Sequence, residues 1–141
     1  MTKQLTISSG ITIADVRAIR SSTSYQQRMA AAASYIPSEG EIKAISMRLF
    51  RELTCGRMIN NGEGVQVSLA DVLDDEDGYE SLVAFYRGTG SKEEISNLVM
   101  KACLRMTTPV IREELRQRIE SEEIAKHQRL KSIAKIGEVA A

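Results

Sequence analysis

The sequence predicts an all-α fold, a single-domain helical bundle of about five to six helices with at most a minor β element. Apolar residues recur at helical spacing in several segments. Where these segments begin, a Ser or Thr stands three positions before an Asp or Glu, the pattern of a capping box. The 141 residues, 43% of them apolar, are enough to build one buried core and are typical of a single domain, 1–141.

Residues 11–60 are predicted to form a basic helical hairpin. Its first helix begins at Thr12, with Asp15 three residues on, and a run of Ser and Thr interrupts it, since these side chains compete for backbone hydrogen bonds. Helix resumes at Tyr25 and ends before Pro37, because the residue preceding a proline avoids the helical conformation.

The second helix of this hairpin is predicted over residues 39–53. Ser38 and Glu41 form a capping box at its start. One apolar stripe then predicts the face that packs against the core: Ile42, Ile45, Leu49 and Leu53. The short connection between two helices, with small alanines in the first, indicates a helix-turn-helix-like arrangement. An ordinary helical hairpin explains the same pattern.

Residues 61–90 are predicted to be an acidic loop region. Residues 65–67 alternate like a short strand, for which residues 5–7 are a candidate partner. Ser68 and Asp71 cap one or two helical turns, and residues 79–87 form a short helix that glycines end.

Residues 91–141 are predicted to hold a capped core helix and a long charged C-terminal helix. Ser91 and Glu94 form the first cap, and Pro109 suits the first position of a separate, following helix. The core-facing stripe of the first of these helices consists of Ile95, Leu98, Val99, Ala102, Cys103 and Met106.

Charge is segregated along the chain although its formal net value is +0, which excludes a domain-wide polycation. Residues 1–60 carry eight basic and four acidic side chains, a net of +4. Residues 61–100 carry two basic and nine acidic ones, a net of −7, and residues 101–141 carry nine and six, a net of +3. This pattern suits intramolecular pairing, head-to-tail association or a basic face directed at an acidic partner.

Several classes of site are excluded by composition. No apolar run approaches the roughly 20 residues that span a bilayer, and the N-terminus has no apolar signal segment. Cys55 and Cys103 are expected to be reduced, partly buried thiols of a cytoplasmic protein. With His127 they make at most three scattered ligands, and the acidic run 74–77 lacks the EF-hand spacing. We therefore expect no metal and no cofactor.

Enzymatic function is not expected. His127 is the single imidazole, and it lies in a strongly charged segment where a solvated side chain is the simplest interpretation. No spacing singles out a second carboxylate or nucleophile that would complete an acid–base pair.

The first functional hypothesis is a small DNA-binding regulator or accessory factor that contacts duplex DNA through the N-terminal hairpin. Lys and Arg side chains directed away from the apolar stripe would contact phosphates or base edges. The predicted DNA-binding residues are Arg28, Lys43, Met47, Arg48 and Arg51.

The alternative hypothesis is a protein-binding or assembly module that forms a homo-oligomer or docks into a larger complex through its C-terminal helix. The apolar residues there are too sparse to stabilise an isolated helix, so they need a surface of this chain or of another. The predicted partner-binding residues are Ile124, Leu130, Ile133 and Ile136.

Overall fold

The computed structural model describes residues 11–75 and 78–140. Six helices and one two-stranded sheet make up this part of the chain, which confirms the predicted all-α fold with a minor β element. The elements are α1 (Ile13–Ser21), α2 (Thr23–Ala33), α3 (Glu39–Thr54), β1 (Ile59–Asn60), β2 (Gln66–Val67), α4 (Leu69–Asp75), α5 (Tyr79–Tyr86) and α6 (Lys92–Ala140).

Local hydrogen bonds set the starts of the N-terminal helices, where predicted for α1 and α3 and two residues before the predicted Tyr25 for α2. Thr12 and Asp15 form a complete capping box at α1, and Ser38 and Glu41 form another at α3. The Ser and Thr run separates α1 from α2 because the Ser22 hydroxyl accepts from the Tyr25 backbone N–H and caps the second helix.

The predicted break at Pro109 is wrong, because α6 is one helix from Lys92 to Ala140 with the proline in its interior. Proline removes one backbone donor but leaves the remaining hydrogen bonds along the helix. The predicted cap of this helix forms only in part. Ser91 Oγ accepts from the Glu94 backbone N–H at 3.4 Å, whereas the Glu94 carboxylate accepts from Ser81 Oγ at 3.0 Å.

The described chain divides into two compact units that share α6. The first, which we call the central unit, comprises residues 36–113. The second, the terminal unit, comprises residues 11–35 and 114–140. The predicted hairpin 11–60 is therefore divided between them, with α2 in the terminal unit and α3 in the central unit.

The central unit contains a continuous apolar core. The stripes predicted on α3 and on the first part of α6 meet there, and Leu49 is only 2% exposed. Ile45, Leu98 and Met106 are partly buried against the same cluster. Its buried members are Leu49, Leu53, Ile59, Val67, Val72, Leu73, Val99, Ala102, Cys103 and Val110.

The small sheet is an antiparallel pair in which Ile59 lies opposite Val67. Thus the strand predicted at 65–67 forms over Gln66–Val67, but its partner is β1; the suggested partner, residues 5–7, lies outside the described residues. The turn after β1 packs closely on α6. A Cβ added to Gly62 would lie 2.4 Å from the Pro109 carbonyl carbon.

Candidate partner-binding surface

In the terminal unit, α1 and α2 contact a row of polar side chains on α6. We call this row the polar stripe, and its spacing of three or four residues places its members on one side of the helix. It consists of Glu120, Glu123, His127 and Lys131.

Glu123 is a buried carboxylate, its side chain being only 7% exposed. Arg28 Nη1 donates to Glu123 Oε2 at 2.9 Å, and Ser24 Oγ donates to the same oxygen at 3.3 Å. Arg28 also forms an ion pair with Glu122, and these two carboxylates raise the pKa of its guanidinium. Burial of the Glu123 charge is thereby compensated, because a buried ion needs both a counter-charge and hydrogen bonds.

Glu120 connects both N-terminal helices to α6. The Tyr25 hydroxyl donates to Glu120 Oε1 at 2.8 Å, and Arg20 Nη2 lies 3.5 Å from the same oxygen. Burial, followed by the adjacent Glu120 carboxylate, raises the pKa of Tyr25 to about 12. The phenol therefore remains a hydrogen-bond donor at neutral pH.

Asp15 anchors the start of α1 to the polar stripe. It accepts from the Thr12 backbone N–H and from Lys131 Nζ, both at 2.9 Å, and its other oxygen lies 3.1 Å from His127 Nε2. The Thr12 hydrogen bond, then Lys131, then His127 hold the pKa of this carboxyl well below its ordinary value. His127 is therefore half-buried and paired with Asp15, not a fully solvated side chain as the sequence predicts.

These contacts occupy the polar side of α6 and leave large apolar side chains exposed. Leu130 is 57% and Ile133 64% exposed. At about 100° per residue, Ile133 lies about 160° around the helix axis from Lys131, which contacts Asp15. An amphipathic helix ordinarily buries its apolar side, so this part of α6 has the reverse arrangement.

Two cationic residues complete this exposed surface. Lys126 and Arg129 are exposed and lie with Leu130 and Ile133 at positions i, i+3, i+4 and i+7, on one side of the helix. We call these four residues the C-terminal face. Among the other predicted partner-binding residues, Ile124 is half-buried and outside this face, and the side chain of Ile136 is outside the described part of the structure.

The five predicted DNA-binding residues have different environments. Lys43, Met47 and Arg51 are exposed and follow one another every four residues along α3. Arg48 is half-buried. Arg28 belongs to the terminal unit, where carboxylates of α6 bind its guanidinium.

A pocket of about 160 Å³ lies in the central unit. Most of its walls are apolar, and Glu63 and Arg105 supply opposite charges. The lining residues include no Cys, His or Ser that would serve as a nucleophile or imidazole base: Asn61, Glu63, Val67, Val72, Ala102, Arg105, Met106 and Pro109.

The two cysteine thiols differ in burial, and no described thiol or carboxylate belongs to a group suited to metal binding. Cys103 is buried, and burial raises its pKa to about 11, whereas Cys55 is exposed rather than partly buried because α3 ends there. Within residues 11–75 and 78–140, no three His, Cys, Asp or Glu side chains lie close enough to hold a metal ion. Over the same residues, no helix combines the length and apolar character needed to cross a bilayer.

None of the protein-family models, curated proteins or solved structures compared with the chain matches it. The function of the chain is therefore inferred from the geometry of its own residues.

The polar stripe was not anticipated from the sequence. The run 120–123, which has three glutamates, interrupts the apolar pattern, and the sequence therefore predicts an interruption of packing there. In the structure, Glu120 and Glu123 instead form contacts with the N-terminal helices. The positive charges of Arg20 and Arg28, opposite in sign to those of Glu120 and Glu123, are a signal of this contact in the sequence. Pairing residues about 95 to 100 positions apart nevertheless requires the fold.

Proposed function

We propose that this protein is a non-enzymatic assembly module that binds a protein partner through the C-terminal face of α6. The observation that carries the proposal is the exposure of Leu130 and Ile133 on a helix whose polar side is already occupied by α1. Exposed apolar residues at i and i+3 on a helix are typical of surfaces that dock on another protein.

The size of the face indicates what kind of binding to expect. Burying two large aliphatic side chains that are already partly covered contributes about 2–4 kcal/mol in total. This alone is too little for stable association, so the flanking Lys126 and Arg129 and additional contacts must contribute. The face is therefore suited to assemblies that combine several weak contacts.

A photoreactive benzoylphenylalanine in place of Ile133 tests the proposal in the full-length chain, expressed in cells of its source organism. The matched control carries the same group in place of Arg17, an exposed residue two positions after Asp15 and therefore on the outer side of α1. We expect a covalent protein adduct from position 133 and none of comparable yield from position 17. Equal yields at the two positions, or no protein adduct at position 133, would overturn the proposed function.

DNA binding is a second candidate, which one observation favours. Lys43, Met47 and Arg51 are exposed along one line of α3, so two cations are accessible to phosphates. The engagement of Arg28 by two carboxylates weighs against a footprint that extends to α2.

A gel-shift titration against random duplex DNA at several salt concentrations tests this candidate. The double substitution Lys43→Ala and Arg51→Ala is compared with Arg17→Ala and Arg118→Ala, which remove the same charge from exposed positions elsewhere. If α3 binds DNA, only the first pair lowers the slope of log affinity against log salt, by roughly 2. No shift at micromolar protein in low salt, or equal effects of both pairs, would rule out this candidate.

A further inference from the structure

A second exposed helix face lies in the acidic centre of the chain. Tyr79, Leu82, Val83 and Tyr86 stand at positions i, i+3, i+4 and i+7 of α5, the pattern of one helix side. Tyr79 is 60% and Tyr86 76% exposed, whereas Leu82 is partly buried against the core of the central unit. We call these four residues the α5 face.

The α5 face belongs to the acidic segment of the sequence, although Arg87 is exposed directly after α5. Residues 61–100 carry two basic and nine acidic side chains, a net of −7. Glu80 is exposed within α5 itself, and Glu94 lies beside it, since its carboxylate accepts from Ser81 Oγ at 3.0 Å. The face therefore combines exposed aromatic rings with negative charge.

The C-terminal face has the complementary character. It contains the exposed cations Lys126 and Arg129, and its exposed apolar residues, Leu130 and Ile133, are aliphatic. Aliphatic side chains pack well on aromatic rings, and Lys or Arg beside a Tyr ring gains cation–π attraction. Opposite charge adds long-range attraction between the two faces.

We propose that the C-terminal face of one copy docks on the α5 face of a second copy. This inference rests on the proposed function and names the partner as another molecule of the same chain. The contact joins two different surfaces, so it is heterologous, and each bound copy still presents one unoccupied face. Such a contact closes into a ring, of two or more copies, where the unoccupied faces can meet, and otherwise extends into an open chain.

The first test is the mass of the full-length protein by light scattering as concentration increases. We expect species heavier than the 15.6 kDa of one chain, with weaker association at high salt because screening reduces the attraction between charges. If the mass stays at 15.6 kDa up to roughly millimolar concentration, the Kd for self-association exceeds about 1 mM. That result would overturn the inference.

The decisive test mixes two variants. One carries Leu130→Asp with Ile133→Asp, and the other carries Tyr79→Lys with Tyr86→Lys; all four positions are exposed, so circular dichroism should show unchanged folding. Each variant alone is expected to be monomeric, whereas an equimolar mixture forms a one-to-one dimer, because one intact face of each kind remains. Ile36→Asp, at an apolar residue that is 84% exposed outside both faces, is the control and should associate like the unaltered chain.

Other outcomes separate this inference from the proposed function. If the tyrosine variant still associates and mixing restores nothing, the C-terminal face binds itself and the inference is wrong. If the chain is monomeric but position 133 forms an adduct with a different protein, the proposed function is supported and the inference is overturned. Should the aspartate variant fail to fold, the charge reversal Lys126→Glu with Arg129→Glu replaces it, and association weakened by less than about tenfold would contradict the inference.

Discussion

Gly62 and Gly56 share a left-handed backbone conformation, with φ of +88° and +83°, but their surroundings differ. A Cβ at Gly62 would meet the backbone of Pro109 at 2.4 Å, whereas nothing lies within 4 Å of one at Gly56. Gly56→Ala is expected to cost about 1–2 kcal/mol from conformation alone. Gly62→Ala adds a steric cost of about 1–3 kcal/mol. Urea unfolding of both variants checks the difference; equal losses would mean that the turn does not pack on α6.

At the core, Leu49→Ala should lower the free energy of unfolding by about 2–5 kcal/mol, because the side chain is fully enclosed and leaves a cavity. Leu98→Ala should cost less, since Leu98 is only partly buried against the same cluster. Urea unfolding curves of the two variants measure this order. A loss below about 1 kcal/mol for Leu49→Ala would contradict the assignment of α3 to the core.

The paired carboxylate of Asp15 should make stability depend on pH. Its pKa lies below the ordinary value of 3.8 in the folded chain, so folding gains stability above that pH and loses it as the pH falls towards the folded value. Asp15→Asn should therefore lower Tm at pH 7, and the difference from the unaltered chain should shrink below about pH 4. Thermal unfolding from pH 7 to pH 2 measures this. Asp74→Asn, at an exposed carboxylate of α4, is the control, and a Tm difference for Asp15→Asn that stays constant with pH would contradict the prediction.

Among the elements, the last part of α6 has two separable roles, because its polar stripe holds α1 and its C-terminal face is exposed. Deleting residues 132–141 keeps His127 and Lys131 and removes Ile133. Deleting residues 124–141 also removes the two residues that bind Asp15.

We expect the shorter deletion to lose the helical signal of the deleted residues alone. It should also abolish association of the chain through the C-terminal face. The longer deletion should in addition lose the nine helical residues of α1, because their anchor on α6 is gone. Circular dichroism and light scattering on both truncated chains check this. Equal helical loss per deleted residue in the two chains would show that α1 does not depend on the polar stripe.

On the scale of the whole molecule, the two units differ in how they are stabilised. The core cluster of the central unit has ten buried apolar residues. Among the described residues of the terminal unit, the buried apolar residues are Ile11, Ile19, Ala32 and Ile119, and ion pairs also join α1 and α2 to α6. Partly exposed ion pairs contribute little compared with apolar burial.

The terminal unit should therefore open more readily than the central unit. In native-state hydrogen exchange we expect amides of α1 and α2 to exchange faster than those of α3, with protection lower by at least about tenfold. Asp15→Asn should raise exchange in α1 while leaving α3 unchanged. Uniform protection across both units would show that the chain unfolds only as a whole.

Features that depend on neighbouring residues are mostly predictable from the sequence, and features that depend on distant residues are not. Thr12, Ser38 and Gly88 mark element ends correctly because caps and left-handed glycines act within a few residues. The apolar stripe of α3 likewise predicted its buried side. Pro109 misled because a local rule favours a helix start, whereas hydrogen bonds on both sides keep α6 continuous.

The sequence by itself determined the all-α class, most helix starts and the segregation of charge, since each depends on neighbouring residues or on composition. Only the tertiary structure decided which side of α6 is occupied. Glu120 and Glu123 become interior contacts because Tyr25 and Arg28 reach them across the fold, and Ile133 is exposed because the adjacent α1 binds the opposite, polar side. A periodic pattern identifies the sides of a helix, but which side is covered depends on the charges and shapes of segments about a hundred residues away.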